Sequence, residues 1–263
     1  MSPEVREVTE LITSGPAEAL SGLLGVEGTP FVEMPLLFHW VYLLDRPPTV
    51  ALGPDGHQAV GGMPVPARPG LRRMFAGGRA WRHGALRIGA EATRRTWQAS
   101  SARKEGRSGP LVFVTVRTEV SQGGPVVITE EQDLVYREAV ADNQARSAHI
   151  VAAAGRDRTV TVDPVLLFRF SALTYNAHRI HYDRDYARAE GYPGLVVHGP
   201  LQALLMAELA RARRPGASEY AYRLVAPLYE DDGLIVSAGP EGETIGVSCR
   251  DASDRVTATG VLR

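Results

Sequence analysis

The amino-acid sequence predicts an α+β protein in which two units each combine an apolar helix with an antiparallel sheet. In both halves of the chain, an apolar segment with a helical pattern precedes several strands rich in β-branched residues. The 263 residues also suffice for two domains of roughly 120 residues, each with its own core. We place the units at residues 1–140 and 156–263, and a linker with few large apolar residues at 138–155.

The N-terminal half begins with a helical segment at residues 36–44. An irregular stretch rich in glycine and proline follows at 47–78. Alternating apolar and polar residues then predict four strands, with turns at Gly106 and at Gly123-Gly124. The predicted strands are 79–87, 90–101, 110–121 and 126–137.

The C-terminal half repeats this order of elements. A strand at 158–162 leads to Asp163-Pro164, an N-cap followed by a proline at the first helical position, and then to the apolar helix VLLFRFSAL. Asp183 is the predicted cap of a short helix at 184–190, and Pro200 opens the helix LQALLMAELARAR, which ends before Pro215. The remaining predicted strands are 220–229, 234–238, 244–249 and 255–262.

Composition excludes several classes of function. Positive and negative charges nearly cancel, 29 against 30, and the arginines are scattered, so we expect no nucleic-acid partner. No apolar run approaches the roughly 18 residues that span a bilayer, and the N-terminus lacks the apolar core of a signal peptide, so we expect no membrane partner and a cytoplasmic location. Cys249 is the single cysteine, which excludes an internal disulfide, and its alternating surroundings favour packing over nucleophilic catalysis.

One short stretch carries the residues suited to chemistry. Asn176, His178 and His181 precede a third histidine, which stands in the pair His198-Gly199. An imidazole close to a polar side chain can move a proton at neutral pH, and a glycine amide that opens an apolar helix can stabilise an oxyanion. The stretch therefore indicates an acid/base active site.

The histidine stretch resembles the signature of the MaoC-like hydratases and dehydratases, which reads Asp-x-Asn-Pro-Ile-His and then His-Gly before a central helix. More closely, the chain resembles the double-hotdog branch of that family, with type 2 3-hydroxyacyl-thioester dehydratases, mesaconyl-C4-CoA hydratases and FAS1-type dehydratase domains. The N-terminal half contributes to the resemblance through the segments FHWVYLL (38–44), GGMPVP (61–66), RRMFAGGR (72–79) and KEGRSGPLVFVTVR (104–117). The resemblance implies a double hotdog of two helix-wrapped antiparallel sheets, with the catalytic residues in the C-terminal hotdog and the acyl pocket shaped by the N-terminal one.

The resemblance also implies the reaction, which is reversible hydration of a 2-enoyl thioester linked to CoA or to an acyl carrier protein. His181 matches the catalytic histidine, and Gly199 matches the glycine whose N–H binds the thioester carbonyl. Asn176 occupies the place of the catalytic aspartate, so His181 would carry the proton transfer. The reaction implies no metal and no cofactor, and a homodimer is compatible with it. The predicted substrate-binding residues are Tyr175, Tyr182, His198, Arg223, Arg72 and Arg73.

Four alternatives stay open at this point. An amine could replace water as the nucleophile, because the departure at Asn176 removes one acid/base group. Hotdog proteins also include thioesterases and acyl-thioester binding modules without turnover. The histidines and Asp185 could hold a metal, although a convincing further ligand is lacking. Without the resemblance, Gly199-Pro200 would be read as a plain helix start and His181 as a satisfied polar residue.

Overall fold

The computed structural model describes residues 4–26, 33–59, 71–106, 109–138 and 156–263. The chain divides into two compact units, of which the first comprises Met1–Val140 and Ala172–Ala177 and the second comprises Ala141–Ser171 and His178–Arg263. The segment GGMPVP and all but the first residue of the expected linker lie outside the described residues. Among the described residues, no helix is both long and apolar enough to cross a lipid bilayer.

The first unit contains an antiparallel sheet whose strands are Val5–Leu11 (β1), Leu71–Arg82 (β2), Glu91–Gly106 (β3), Gly109–Gln122 (β4) and Val126–Glu138 (β5). They lie in the order β1-β3-β4-β5-β2. Along β1, exposed residues alternate with half-buried ones, and on β4 the buried residues Val114, Val116 and Val120 lie on one face and contribute to the core.

The helix of the first unit lies earlier than the sequence predicts. It spans Ser14–Leu24 (α1), buries Leu20 and Leu24, and ends at Gly25, whose left-handed φ of 62° allows its N–H to bond to the Ser21 carbonyl. The prediction of a helix at 36–44 is wrong, because that stretch holds only a 3-10 turn at Phe38–Val41.

Polar groups fix this turn inside the first unit. The Glu130 carboxylate is 3% exposed and binds His39 Nε2 at 2.8 Å, and it accepts hydrogen bonds from Trp40 Nε1 at 2.8 Å and Gln132 Nε2 at 2.9 Å. The backbone at Leu37 has a φ of 75°, which interrupts helical geometry. The buried apolar pattern of this segment therefore reflects core packing and not helical periodicity.

The strand β2 also departs from the prediction, because it begins at Leu71 within the stretch predicted to be irregular. Its pairing with β5 shifts register between Phe75 and Gly77, and Gly77 has a φ of 153°. Such a bulge needs a glycine, and glycines weaken the strand pattern of the sequence. From Leu71 to Gly78, the stretch that the sequence predicts to be irregular is therefore a bulged strand.

The second unit contains a sheet whose strands are Arg156–Val160 (β6), Glu219–Leu224 (β7), Leu234–Ala238 (β8), Ile245–Arg250 (β9) and Val256–Leu262 (β10). They lie in the order β7-β10-β9-β8-β6, and all neighbouring strands are antiparallel. Its helices are Pro164–Leu173 (α2), Arg184–Ala189 (α3) and Gly199–Arg211 (α4). The prediction that one strand spans 220–229 is wrong, because β7 ends at Leu224, three residues before Pro227, which cannot donate to a strand ladder.

The helix α4 forms the centre of the second unit. It packs against β8, β9 and β10, and its side chains are buried on every side, including the polar residue Gln202. Gln202 is satisfied by a hydrogen bond of 2.7 Å from the Thr257 hydroxyl on β10. A helix this apolar, surrounded by a sheet, has the arrangement expected of a hotdog unit.

One glycine of β10 allows a close approach inside this core. A Cβ at Gly260 would lie 2.8 Å from the Tyr220 hydroxyl oxygen, closer than non-bonded atoms approach. That hydroxyl donates a hydrogen bond to the Ala203 carbonyl on α4 at 3.1 Å. Gly260 therefore leaves the space through which Tyr220 reaches the helix.

Candidate active site

His181 lies at the end of a short 3-10 turn, Arg179–His181, between α2 and α3. The turn is closed by a hydrogen bond of 3.2 Å from the His181 N–H to the His178 carbonyl. Immediately after it, the Asp183 carboxylate accepts a hydrogen bond from the Tyr186 N–H at 2.9 Å and caps α3, as the sequence predicts. The local sequence thus fixes His181 between a tight turn and a capped helix.

The tautomer of His181 follows from one hydrogen bond. His181 Nδ1 lies 2.7 Å from the carbonyl oxygen of Val196, and a carbonyl oxygen can only accept. Nδ1 therefore carries the proton, and Nε2 is the basic nitrogen of the neutral ring. His181 is buried, with 7% of the residue exposed, so its acid/base group is largely excluded from solvent.

A second histidine lies flat against the first. The rings of His181 and His198 stack with centroids 3.6 Å apart and an interplanar angle of 20°. His198 is fully buried, and its Nε2 lies 2.9 Å from the Ser171 hydroxyl on α2. His178 approaches His181 edge-on, with centroids 5.4 Å apart. The structure therefore brings three of the sequence-predicted histidines together.

The segment 195–197, which carries the hydrogen-bond acceptor of His181, is held by backbone hydrogen bonds. The Val196 N–H donates to the Ile180 carbonyl at 2.9 Å, and the Val197 N–H donates to the Leu228 carbonyl at 2.8 Å. The Glu230 N–H donates to the Leu195 carbonyl at 3.0 Å. Because each residue of the segment is bonded, the acceptor of His181 is fixed in place.

Glu230 reinforces the same segment with its side chain. The carboxylate accepts the Leu195 N–H at 3.2 Å and binds Arg184 through two hydrogen bonds of 2.8 Å. Burial of this carboxylate would raise its pKa, but the hydrogen bonds from Arg184 and from the Leu195 N–H outweigh burial and lower the pKa below the ordinary value. Glu230 is therefore ionised at neutral pH and links α3 to the segment beside His181.

Gly199 opens α4 directly after the buried His198. As the first helical residue, its N–H has no acceptor within the helix, and Pro200 has no N–H. The first helical hydrogen bond that reaches back to this point runs from the Gln202 N–H to the His198 carbonyl at 3.2 Å. The Gly199 N–H and the positive end of the helix dipole are thus suited to bind a developing oxyanion.

The remaining predicted residues of the motif lie around this turn in the sequence. Tyr175 is exposed and has a φ of 53°, in the left-handed region, which places a sharp bend just before the motif. Asn176 is half-buried and lies five residues before His181. Tyr182 is 45% exposed and follows His181 directly. Their roles in binding remain predictions.

The predicted substrate-binding arginines lie elsewhere in the sequence. Arg72 and Arg73 are on β2 of the first unit, and Arg73 is exposed. Arg223 is an exposed residue of β7, and it alternates with Tyr222, so it lies on the face of that strand that is turned away from α4. No hydrogen bond or ion pair within the described residues joins Arg223 to His181.

Three further residues around His181, namely Ser171, Arg184 and Glu230, are not predicted by the sequence. Ser171 gives a weak signal, as a hydroxyl on a mostly apolar helix. Glu230 stands before Asp231, Asp232 and Gly233, a run typical of an exposed turn, although Glu230 is only 6% exposed. The burial of Glu230 could not be predicted from its neighbours in sequence, because it depends on the distant partner Arg184.

Comparisons with known proteins agree with this architecture. The family model for hydroxyacyl-thioester dehydratase type 2 matches residues 37–230. The mesaconyl-C4-CoA hydratase of Chloroflexus aurantiacus is 45% identical over 255 residues, which cover 92% of this chain and 90% of that protein.

Two solved structures illustrate the fold. A MaoC-like dehydratase from Phytophthora capsici superposes with a TM-score of 0.74 at 12% identity, covering 99% of this chain and 94% of that one. A Mycobacterium tuberculosis protein with a double hotdog fold superposes with a TM-score of 0.55 at 17% identity, covering 100% and 95%. At these identities the likeness concerns the fold, and it confirms the predicted α+β double hotdog. With the family match across most of its length, the chain belongs to the hydroxyacyl-thioester dehydratase type 2 family of MaoC-like double-hotdog proteins.

Proposed function

We propose that this protein catalyses the reversible hydration of a 2-enoyl thioester, with His181 as the acid/base and the Gly199 N–H as the oxyanion donor. The observation that carries the proposal is the hydrogen bond from His181 Nδ1 to the Val196 carbonyl, since it leaves Nε2 as the base. The match to the hydroxyacyl-thioester dehydratase type 2 family and the 45% identical relative named as a hydratase support the same reaction.

The proposed chemistry uses one imidazole twice. Nε2 of neutral His181 accepts a proton from water as the water oxygen bonds to Cβ, and the electron pair of the double bond moves toward the thioester oxygen. The Gly199 N–H and the α4 dipole stabilise that negative charge. The His181 imidazolium then gives its proton to Cα, so that one water is added and the ring is neutral again.

We further propose that the substrate is an enoyl-CoA with a second carboxylate, such as mesaconyl-C4-CoA. The support is the 45% identity to a mesaconyl-C4-CoA hydratase over nearly the full length of both chains. A simple alkyl substrate or a carrier-protein thioester is the competing choice. Arg223 makes no ion pair with a described residue, and we propose it as the partner for the second carboxylate of the substrate. The test is Arg223→Gln, which should slow hydration of mesaconyl-C4-CoA more than hydration of crotonyl-CoA.

The test is to incubate the protein with mesaconyl-C4-CoA, crotonyl-CoA and an enoyl-pantetheine thioester. Addition at Cβ removes the conjugated enoyl absorbance, leaves the thioester intact and raises the product mass by one water. We expect this result, with the fastest turnover on mesaconyl-C4-CoA. Free thiol released at the rate of substrate loss would instead identify a thioesterase.

The same assay distinguishes water from an amine as the nucleophile. The amine is the alternative because Asn176 cannot act as the acid/base group that an aspartate would provide. Parallel reactions contain a mixture of amino acids. An N-substituted 3-aminoacyl product in their presence, with little hydrate in their absence, would overturn hydration as the reaction. No change in any substrate would identify a binding module.

A further inference from the structure

We propose that His198 is a positioning residue that acts through His181: its ring, anchored by Ser171, lies flat against His181 and stabilises the imidazolium form of His181 during proton transfer. The inference rests on the proposed role of His181 in hydration. It also assigns a different role to a residue that the sequence predicts to contact substrate.

The first support is that three contacts surround the His198 ring. One face stacks on His181 at 3.6 Å, and Phe170 of α2 meets the ring at 4.8 Å with an interplanar angle of 64°. Ser171, the next residue of α2, bonds to Nε2 at 2.9 Å. Because none of the ring is exposed, a substrate that fills the site meets His181 and not His198.

The second support is that only a neutral His198 fits these surroundings. Its Nδ1 is buried and has no hydrogen-bond partner among the described residues. A buried N–H without an acceptor is rarer than a buried lone pair without a donor, so Nε2 carries the proton and donates it to the Ser171 hydroxyl. Burial lowers the pKa of His198 well below its ordinary value, and the neighbouring His181 and His178 lower it further.

The stacked pair can therefore hold only one proton beyond the two of its neutral rings, and that additional proton goes to His181. The titratable groups that face His198 are His181 and His178, whereas α2 presents only the neutral Phe170 and Ser171. When His181 accepts a proton, its positive charge lies against the π face of a neutral ring, which is a favourable arrangement. His198 thus strengthens His181 as a base without competing for its proton.

Two variants of His198 separate this role from simple packing. Both His198→Phe and His198→Leu lose the Ser171 hydrogen bond, but only phenylalanine retains an aromatic face. We expect the acidic limb of the kcat/KM pH profile to stay in place in the phenylalanine variant and to move down by about 0.5–1 pH unit in the leucine variant. The leucine variant should also lose about tenfold in kcat with little change in KM. Ser237→Ala, at a buried serine of β8 bonded to Arg250, is the control and should leave the profile unchanged.

A second measurement does not depend on variants or on turnover. In wild-type protein labelled with 15N-histidine, NMR should show His198 neutral with Nε2 protonated throughout pH 5–9, while His181 titrates. A titrating His198 would overturn the inference, as would equal pH profiles for the phenylalanine and leucine variants. Full activity of His181→Ala would contradict the proposed function instead, so the two failures are distinguishable.

Discussion

At the scale of single residues, His181 is the side chain whose loss should cost most activity. An acid/base residue typically contributes a factor of about 10² to 10⁴, so His181→Ala should lower kcat for hydration by that amount while the protein stays folded. The measurement is steady-state hydration with melting temperature as a check on folding. The control is His83→Ala, which removes a histidine of the first unit bonded to Thr129 and should leave turnover intact.

The neighbouring histidine tests whether the right imidazole has been chosen. His178 meets the His181 ring edge-on, and its carbonyl closes the turn that carries His181. The backbone carbonyl persists in His178→Ala, so we expect a smaller loss than in His181→Ala. A larger loss at His178, measured under the same conditions, would assign the proton transfer to His178.

Asn176 gives the third prediction at this scale, because the resemblance puts it in the place of the aspartate of the family signature. If it orients the water for His181, Asn176→Asp should retain hydration and add a second titrating group to the pH-rate profile. Asn176→Leu should reduce kcat by about tenfold or more, because leucine fills a similar volume but cannot accept a hydrogen bond from the water. Equal activity of the leucine variant and wild type would remove Asn176 from the site.

At the scale of elements, the link from α3 to the segment 195–197 should matter for both stability and activity. Glu230→Gln keeps the shape but removes the charge that binds Arg184, and the expected loss of stability is about 1–2 kcal/mol at pH 7. Because the segment supplies the acceptor of His181, hydration should slow several-fold as well. The control is Glu219→Gln, which removes an exposed ion pair with Arg263 and should change stability little.

The stability that the Glu230 carboxylate contributes should depend on pH in one definite direction. The pKa of Glu230 is lower in the folded protein than its ordinary value, so its contribution is complete above the ordinary glutamate pKa of about 4.3 and is lost as the pH falls through the folded value. The stability difference between wild type and Glu230→Gln should therefore be constant near neutrality and shrink in acid. Urea unfolding at several pH values measures it, and a difference that grows in acid would contradict the assignment.

The hairpin of β9 and β10 provides a matched pair of glycines. Gly260→Ala would bring a Cβ to 2.8 Å from the Tyr220 hydroxyl oxygen, and such overpacking costs about 1–3 kcal/mol. Gly246→Ala on β9 meets nothing within 4 Å, so it should be neutral or slightly stabilising. Thermal unfolding compares the two variants, and equal melting temperatures would mean that Tyr220 can move away.

The start of a helix could be predicted where its capping residue lies directly before it in the sequence. Asp163 and Asp183 cap α2 and α3 through hydrogen bonds of 2.7 and 2.9 Å, as expected from their place before each helix. The helix α1 is not predicted because Gly15 and Gly22 weaken its helical pattern, and the strand β1 is not predicted because none of its residues is buried and its apolar alternation is weak. Tertiary packing decides the structure there, and a single sequence does not display it.

In the candidate site, too, some residues could be predicted from the sequence and others could not. His181 and Gly199 could be found because a short motif carries them, and the structure supplies the tautomer and the helix start that their roles need. The support from Ser171 and Glu230 could not be found, since it depends on side chains 27 and 46 residues away from their partners in sequence. Motifs predict the reacting groups, and the fold determines what holds them.

At the scale of the whole molecule, Cys249 is an internal reporter of unfolding. The thiol is completely buried on β9, and burial raises its pKa, so the reactive thiolate is scarce. We expect Ellman's reagent to label native protein at the rate of opening of the second unit, and one thiol to react at once in denaturant. Rapid labelling of the native protein would contradict the burial of β9 beneath α4.

The enclosure of α4 limits how this enzyme can diversify. The helix that presents Gly199 is buried on every side, so a substitution along it disturbs the core before it alters the reaction. Variation that changes substrate range should therefore accumulate in residues outside α4, while Gly199, the oxyanion donor that we propose, is retained. New specificities can then evolve on this scaffold at little cost to its chemistry.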